Sequence, residues 1–250
     1  MKRRQNMSVK PINISKSAEL EWLEAIAIKP NAVDGLKNFA RILGEKAVFS
    51  TSFSMEDQVI THMIFSNNLN IKVFTLDTGR LFPETYSTWA RTIEKYGKPI
   101  ATYFPDADQL EPILRSKGPN SFYESIENRQ ECCNIRKVEP LKRALAGHKL
   151  WVTGIRSEHS TNRTQMNKME WDSSNELFKF HPLLNWTTDE LKEFVKQYEI
   201  PVNPLHDKGF VSIGCAPCTR AIKAGEDFRA GRWWWEEADK KECGLHVHAS

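Results

Sequence analysis

Five cysteines, at positions 132, 133, 215, 218 and 243, hold most of the chemical information in this 250-residue chain. Cys132-Cys133 is an adjacent pair, and Cys215-Ala216-Pro217-Cys218 is a second close pair far along the sequence. Four thiolates in two such pairs can surround one metal centre, and zinc and iron–sulfur clusters both accept four. Adjacent side chains diverge on a helix or a strand, so buried structural thiols and a redox disulfide stay open beside metal binding. Ser212-Ile213-Gly214 leads into the second pair and allows the tight loop that a C-x-x-C ligand pair needs. Lys137 follows Cys133 by four positions, so on a helix its ammonium shares a face with that sulfur. Cys243 is left over, within Lys240-Lys241-Glu242-Cys243-Gly244-Leu245-His246. A thiol there suits a nucleophile that must meet one partner and then another. Lys240, Lys241 and His246 favour its thiolate and Glu242 opposes them, while an incidental surface cysteine is the plain alternative.

An odd number of cysteines is a poor fit to a secreted disulfide framework, so a reducing, cytoplasmic setting is expected. Met1-Lys2-Arg3-Arg4-Gln5-Asn6 is basic, but no apolar stretch follows it, and it does not read as a signal peptide. No run approaches the roughly 20 apolar residues of a membrane span. Hydrophobic residues at 40% and charged residues at 27% are ordinary for a globular protein. A net charge of +3 is too small to argue for nucleic acid, whereas a compact anionic metabolite needs only a few well-placed cations.

The elements that must position these groups follow from periodicity. Helices are expected over Ala18–Ile26 and Ala32–Leu43, then a buried strand at Lys46–Ser50 and a helix with Val59, Ile60, Met63 and Ile64 on one side. Ile71–Leu76 reads as a second strand, followed by a helix starting near Pro83. Ile100–Phe104 and Leu150–Thr153 read as further strands, with helices over Ala107–Arg115 and Arg136–Ala146, the latter started or kinked by Pro140. The polar stretch 157–175 reads as a mobile loop. Phe178–Leu183 is a fifth strand, and Thr187 and Glu190 form a capping box before a helix. Strand–helix alternation of this kind predicts an α/β fold, a largely parallel sheet flanked by helices, whose ligands bind beyond the carboxyl ends of the strands.

Three segments fall at such ends. Ser50-Thr51-Ser52-Phe53-Ser54-Met55-Glu56-Asp57 can offer backbone N–H and hydroxyl donors to an oxyanion at a helix N-terminus, though a serine-rich cap on a core helix looks the same. It lacks the glycines and the Lys-Ser/Thr pair of a Walker A loop. Leu76-Asp77-Thr78-Gly79-Arg80 is a polar turn whose backbone could bond an adenine edge. Thr153-Gly154-Ile155-Arg156 through Arg163 brings two arginines suited to phosphate or sulfate oxygens. Together the three are far more specific than any one alone. Trp233-Trp234-Trp235 receives no role beyond packing, and His181, His206 and His248 read as structural or exposed.

On these residues the chain resembles the sulfonucleotide reductases of the adenine-nucleotide α-hydrolase-like group, from about Leu43 to His246. The resemblance implies a substrate site of Ser50, Ser52, Phe53, Ser54, Glu56, Asp57, Leu76, Asp77, Thr78, Gly79, Gly154 and Arg156, with Lys137, Arg163, Arg229, Arg232 and His246 gripping the charged end. Arg229 and Arg232, three apart, could share a helical face. It also implies that Cys132, Cys133, Cys215 and Cys218 hold a [4Fe–4S] cluster. Glu-Cys-Gly-Leu-His matches the family's catalytic motif, which makes Cys243 the nucleophile on adenosine 5′-phosphosulfate, with thioredoxin or a similar dithiol protein as reductant. The expected organisation is a helical lead over 1–44, a nucleotide-binding domain over 45–232 and a cysteine-bearing tail over 233–250, with the oligomeric state open. Three rivals remain: a reductase of 3′-phosphoadenosine 5′-phosphosulfate or of both nucleotides, an adenylating ATP-pyrophosphatase, and a non-enzymatic metal sensor.

Overall fold

The structure is a computed structural model that describes residues 16–27, 31–159 and 166–236. Six strands, β1 (Ala47–Ser50), β2 (Lys72–Leu76), β3 (Ala101–Tyr103), β4 (Leu150–Val152), β5 (Met169–Asp172) and β6 (Leu177–Phe180), form one sheet in the order β3-β2-β1-β4-β6-β5. Every pairing is parallel except β5 with β6. The order reverses between β1 and β4, and a crevice opens at such a switch point beyond the carboxyl ends of the strands.

The strands are short and apolar because both faces of the sheet are covered. Successive residues point to opposite faces. Phe49, Val73, Val152 and Phe180 therefore join one core with Leu36 and Phe39, whereas Val48, Phe74 and Trp151 join another with Leu141 and Leu145. The first core takes α1 (Lys16–Ala27), α2 (Ala32–Leu43) and α3 (Met55–Ser66), so the N-terminal helices pack on the sheet itself. The second takes α7 (Glu139–Leu145). Around them run α4 (Pro83–Tyr96), α5 (Ala107–Lys117), α6 (Ile126–Cys133) and α8 (Thr188–Gln197). Pro83 opens α4 as expected, and the capping box of Thr187 and Glu190 is complete.

Two expectations need correction. The helical region around Arg136 begins ten residues earlier, at Ile126, where Ser125 caps α6 by accepting from the Asn128 N–H. A π-helical segment, Asn134–Val138, joins α6 to α7. Part of 157–175 is not loop: Met169–Asp172 is the antiparallel edge strand β5, and Asp172 there pairs at 2.7 Å with Lys179 on β6. No helix among the described residues is long and apolar enough to cross a membrane.

Candidate active site

The three strand-end segments converge on one cavity at the switch point. Ser50, Ser52, Phe53, Ser54, Glu56 and Asp57 line it from the first, Leu76 and Thr78 from the second, and Gly154 from the third. In the first segment Phe53 has a φ of +61°, the left-handed region that disfavours a side chain. Burial against Trp89, with ring centroids 5.5 Å apart, offsets that strain. Ser54 caps α3 by accepting from the Asp57 N–H, and the Asp57 carboxylate turns back to accept from the Ser52 N–H at 2.7 Å and hydroxyl at 2.6 Å. Burial pushes the Asp57 carboxyl up to about 6, against the Ser52 hydrogen bonds that favour its charge.

Gly154 is the counterpart of this arrangement. A Cβ there would collide with Oδ1 of Asp57, so only glycine lets the third segment approach the loop. Gly154→Ala is expected to push Asp57 off Ser52 and cost about 1–3 kcal/mol of stability by overpacking. Thermal unfolding together with nucleotide titration checks it; a variant with parental values in both would refute this reading of the loop.

Asp77 and Gly79 build the second turn instead of lining the cavity. The Asp77 carboxylate accepts from the Gly79 N–H at 2.8 Å and the Tyr86 hydroxyl at 2.9 Å, and Gly79 takes a φ of +70°. Arg156 is placed otherwise than expected. Its guanidinium, 2% exposed, donates to Glu56, to Glu158, to the Trp186 carbonyl and to the Thr188 hydroxyl, and it forms no part of the cavity wall. Two carboxylates hold it as a clamp between the loop and α8. Arg163, Cys243 and His246 lie outside the described residues.

The cationic side of the cavity comes from Lys137, Arg229 and Arg232. Arg229 and Arg232 do not share a helical face. They sit in consecutive turns, where the Arg232 N–H donates to the Arg229 carbonyl and both guanidiniums lie over the Trp233 ring, at 5.8 and 4.9 Å. Thr51 and Thr153, named within the strand-end segments but not assigned to the site, also line the cavity, and sequence reasoning missed the segment 211–214, Phe228 and Trp233 as wall residues. Thr51 and Thr153 carry the signal of a strand end; the loop residues carry no such signal.

Cys132, Cys133, Cys215 and Cys218 line a second, smaller cavity with Arg80, Arg129, Arg136 and Lys137. The first two end α6 and the others flank a short 3-10 turn. None of the four is joined in a disulfide. Burial pushes Cys218 up to about 12, a rise opposed by Lys137 and Arg232. The Thr78 hydroxyl lies 3.3 Å from the Cys215 sulfur, and Arg136 donates to the Thr78 carbonyl. Among the described residues no three His, Cys, Asp or Glu side chains are gathered as for a single metal ion. The donor set nevertheless suits a thiolate-bound group. Two buried donors, Nε1 of Trp233 and Nε of Arg232, have no hydrogen-bond partner among the described residues, and Trp233 packs against Cys215 and Cys218. Among the described residues Lys137 alone lines both cavities.

Comparison with known proteins agrees with this geometry. The family model described as the phosphoadenosine phosphosulfate reductase domain matches residues 46–221. The adenosine 5′-phosphosulfate reductase of Allochromatium vinosum is 48% identical over 86% of this chain and 84% of its own. That of Burkholderia cepacia is 46% identical over 89% of each. The phosphoadenylyl-sulfate reductase of Candida auris, solved with phosphate, superposes with a TM-score of 0.70 at 24% identity, covering 84% of this chain and 99% of its own, and supports the fold. With the matched segment running from β1 past the second cysteine pair, the chain belongs to the phosphoadenosine phosphosulfate reductase family.

Proposed function

We propose that this chain reduces adenosine 5′-phosphosulfate to sulfite and AMP in sulfate assimilation, through a covalent S-sulfocysteine on Cys243. One observation carries the reading: a strand-end cavity with cations on one side shares one of the described residues, Lys137, with a chamber of four cysteines. The high identity to adenosine 5′-phosphosulfate reductases along most of the chain favours the nucleotide without a 3′-phosphate.

The Cys243 thiolate attacks the sulfuryl sulfur. An S–S bond forms, the S–O bond to the phosphate breaks, and AMP leaves. A dithiol protein of the thioredoxin kind then attacks the Cys243 sulfur and releases sulfite. Its second thiol closes a disulfide and returns the Cys243 thiolate, so the dithiol loses the two electrons that sulfur gains. Dividing one difficult transfer into two is the benefit of the covalent route. Lys137, Arg229 and Arg232 line the cavity where they would offset the charge on the phosphate and sulfuryl oxygens, which otherwise repels an incoming thiolate. Arg163 and His246 would add to that set.

Cys132, Cys133, Cys215 and Cys218 would hold a [4Fe–4S] cluster in the cavity that they line with Arg80, Arg136 and Lys137. Such a cluster supplies fixed charge beside Lys137, while the dithiol supplies the electrons. Cysteines that hold such a cluster also suit the reducing cytoplasm.

The test is direct. An iron- and sulfide-containing preparation given adenosine 5′-phosphosulfate and reduced thioredoxin should yield sulfite and AMP, and do so faster than with the 3′-phosphorylated nucleotide. Metal content without AMP formation would mark a sensor. Pyrophosphate release from ATP would mark an adenylating enzyme.

A pH dependence follows from Asp57. Its raised value means that, below about 6, the folded protein keeps a proton that the unfolded chain has lost. Stability from this group is therefore present at low pH and declines as pH rises through the window between 3.8 and about 6. An anionic ligand in the same cavity favours the protonated form, which also frees Ser52 donors. Affinity for adenosine 5′-phosphosulfate should thus rise by about three- to tenfold between pH 7.5 and 5.5, within the limit of one proton taken up. Asp57→Asn should flatten the profile; a profile unchanged by that substitution would exclude Asp57 as its source.

A further inference from the structure

The described chain ends on a buried ion pair that the proposed chemistry does not use. Arg129 donates from Nε to Oε1 of Glu236 at 2.9 Å and from Nη2 to Oε2 at 2.8 Å. The side chains are only 1% and 4% exposed. Burying two full charges sacrifices their solvation, and well-packed apolar residues often stabilise a fold as well or better. The better-attested use of such a pair is to fix one register among several.

Its place in the fold says which register. Arg129 precedes Cys132 and Cys133 by three and four positions on α6, so it shares their helical face and lines their cavity. Its guanidinium also lies 4.8 Å from the centre of the Trp233 ring. Trp233 in turn is buried and forms part of the nucleotide cavity. Glu236 closes a turn by donating its N–H to the Trp233 carbonyl. The pair therefore pins residues 233–236 between the cysteine-bearing helix and the nucleotide cavity. Cys243 follows Glu236 by seven positions, a chain that spans at most about 24 Å when fully extended.

Building on the catalytic role proposed for Cys243, we infer that Arg129 and Glu236 are positioning residues. Their ion pair fixes the position and direction of residues 233–236, which lead in sequence to Cys243, and so how readily the Cys243 sulfur finds the sulfuryl group. Loosening this root moves the last fixed position before Cys243 back only to the next buried residue, Trp233. Most of the effect then comes from the lost direction, because effective concentration falls only slowly with tether length.

The test uses the full chain with its metal in place and follows the appearance of an SO3 adduct on Cys243 in a single turnover with adenosine 5′-phosphosulfate and no dithiol. Arg129→Met with Glu236→Met removes both charges together. The adduct should form at least tenfold more slowly, at parental iron content, nucleotide affinity and melting temperature. A second chain keeps the pair and carries a twelve-residue Gly-Ser stretch inserted between residues 238 and 239; lengthening the path to Cys243 from seven to nineteen positions should slow adduct formation by at least about threefold. A rate within twofold of the parent in the folded double variant would overturn the inference. Should that variant lose iron or fold, an unaffected rate in the insertion chain would overturn it instead. If the parent itself gains no adduct, the covalent mechanism fails, an outcome distinct from failure of the latch.

Discussion

A Cys243→Ser chain is expected to bind adenosine 5′-phosphosulfate with parental affinity, keep its iron, and release no sulfite. The reason lies in the element that attacks. A cysteine in a cationic setting is substantially ionised near neutral pH, whereas a serine hydroxyl is not, and thiolate is the reactive form. Even a serine that took up the sulfuryl group would hold it through oxygen, leaving no S–S bond for a dithiol to cleave. Turnover should therefore fall by at least about 10³-fold, the scale on which loss of a covalent nucleophile is felt. Mass spectrometry of the parent, treated with nucleotide and no dithiol, should find SO3 on the peptide containing Cys243 and nowhere else. Residual turnover of the serine variant above one part in a hundred would mean that another group attacks.

The sheet was readable from the sequence because its strands obey one rule. Ala47, Val48 and Phe49 are all fully buried, as a parallel strand covered on both faces demands, and such runs stand out between turn residues. The elements that escaped do not follow it. In α6 only Arg129 is buried, so the helix shows no apolar period; its cap and its ion pair hold it instead. In β5 the buried residues include Asp172, which is neutralised by Lys179 from the neighbouring strand, and such a pair is invisible without the fold. The site shows the same division. Cysteine spacing singled out the four thiols that line one cavity, since clustered thiols have few other uses. Arginines do not identify themselves. Arg156 and Arg232 look equivalent as residues near turns, yet Glu56, a hundred positions away, takes the first for structure, while the second faces the cavity.

Lys137→Ala should cost about 10²–10³ in kcat/KM, or roughly 3–4 kcal/mol, the measured range for removing one preorganised donor from a developing anion. The size follows from position. Lys137 lies in the π-helical segment just after Cys132-Cys133, and its ammonium reaches the wall between the two cavities. A cation on a packed helix needs little rearrangement when charge builds on the departing phosphate, so its benefit is realised chiefly in the transition state. The loss should thus fall mainly on kcat, with a small change in KM. Removing it also withdraws one of the charges that oppose the rise in the Cys218 value, so thiolate at that position becomes harder to form. Iron content measured beside the kinetics separates the two effects: full iron with slow turnover assigns Lys137 to the substrate, whereas parallel loss assigns it to the cysteines. Lys137→Arg should recover part of the rate, because charge returns but the planar guanidinium presents its donors differently. If alanine left kcat/KM within threefold of the parent at full iron content, the shared wall between the two cavities would have no catalytic meaning.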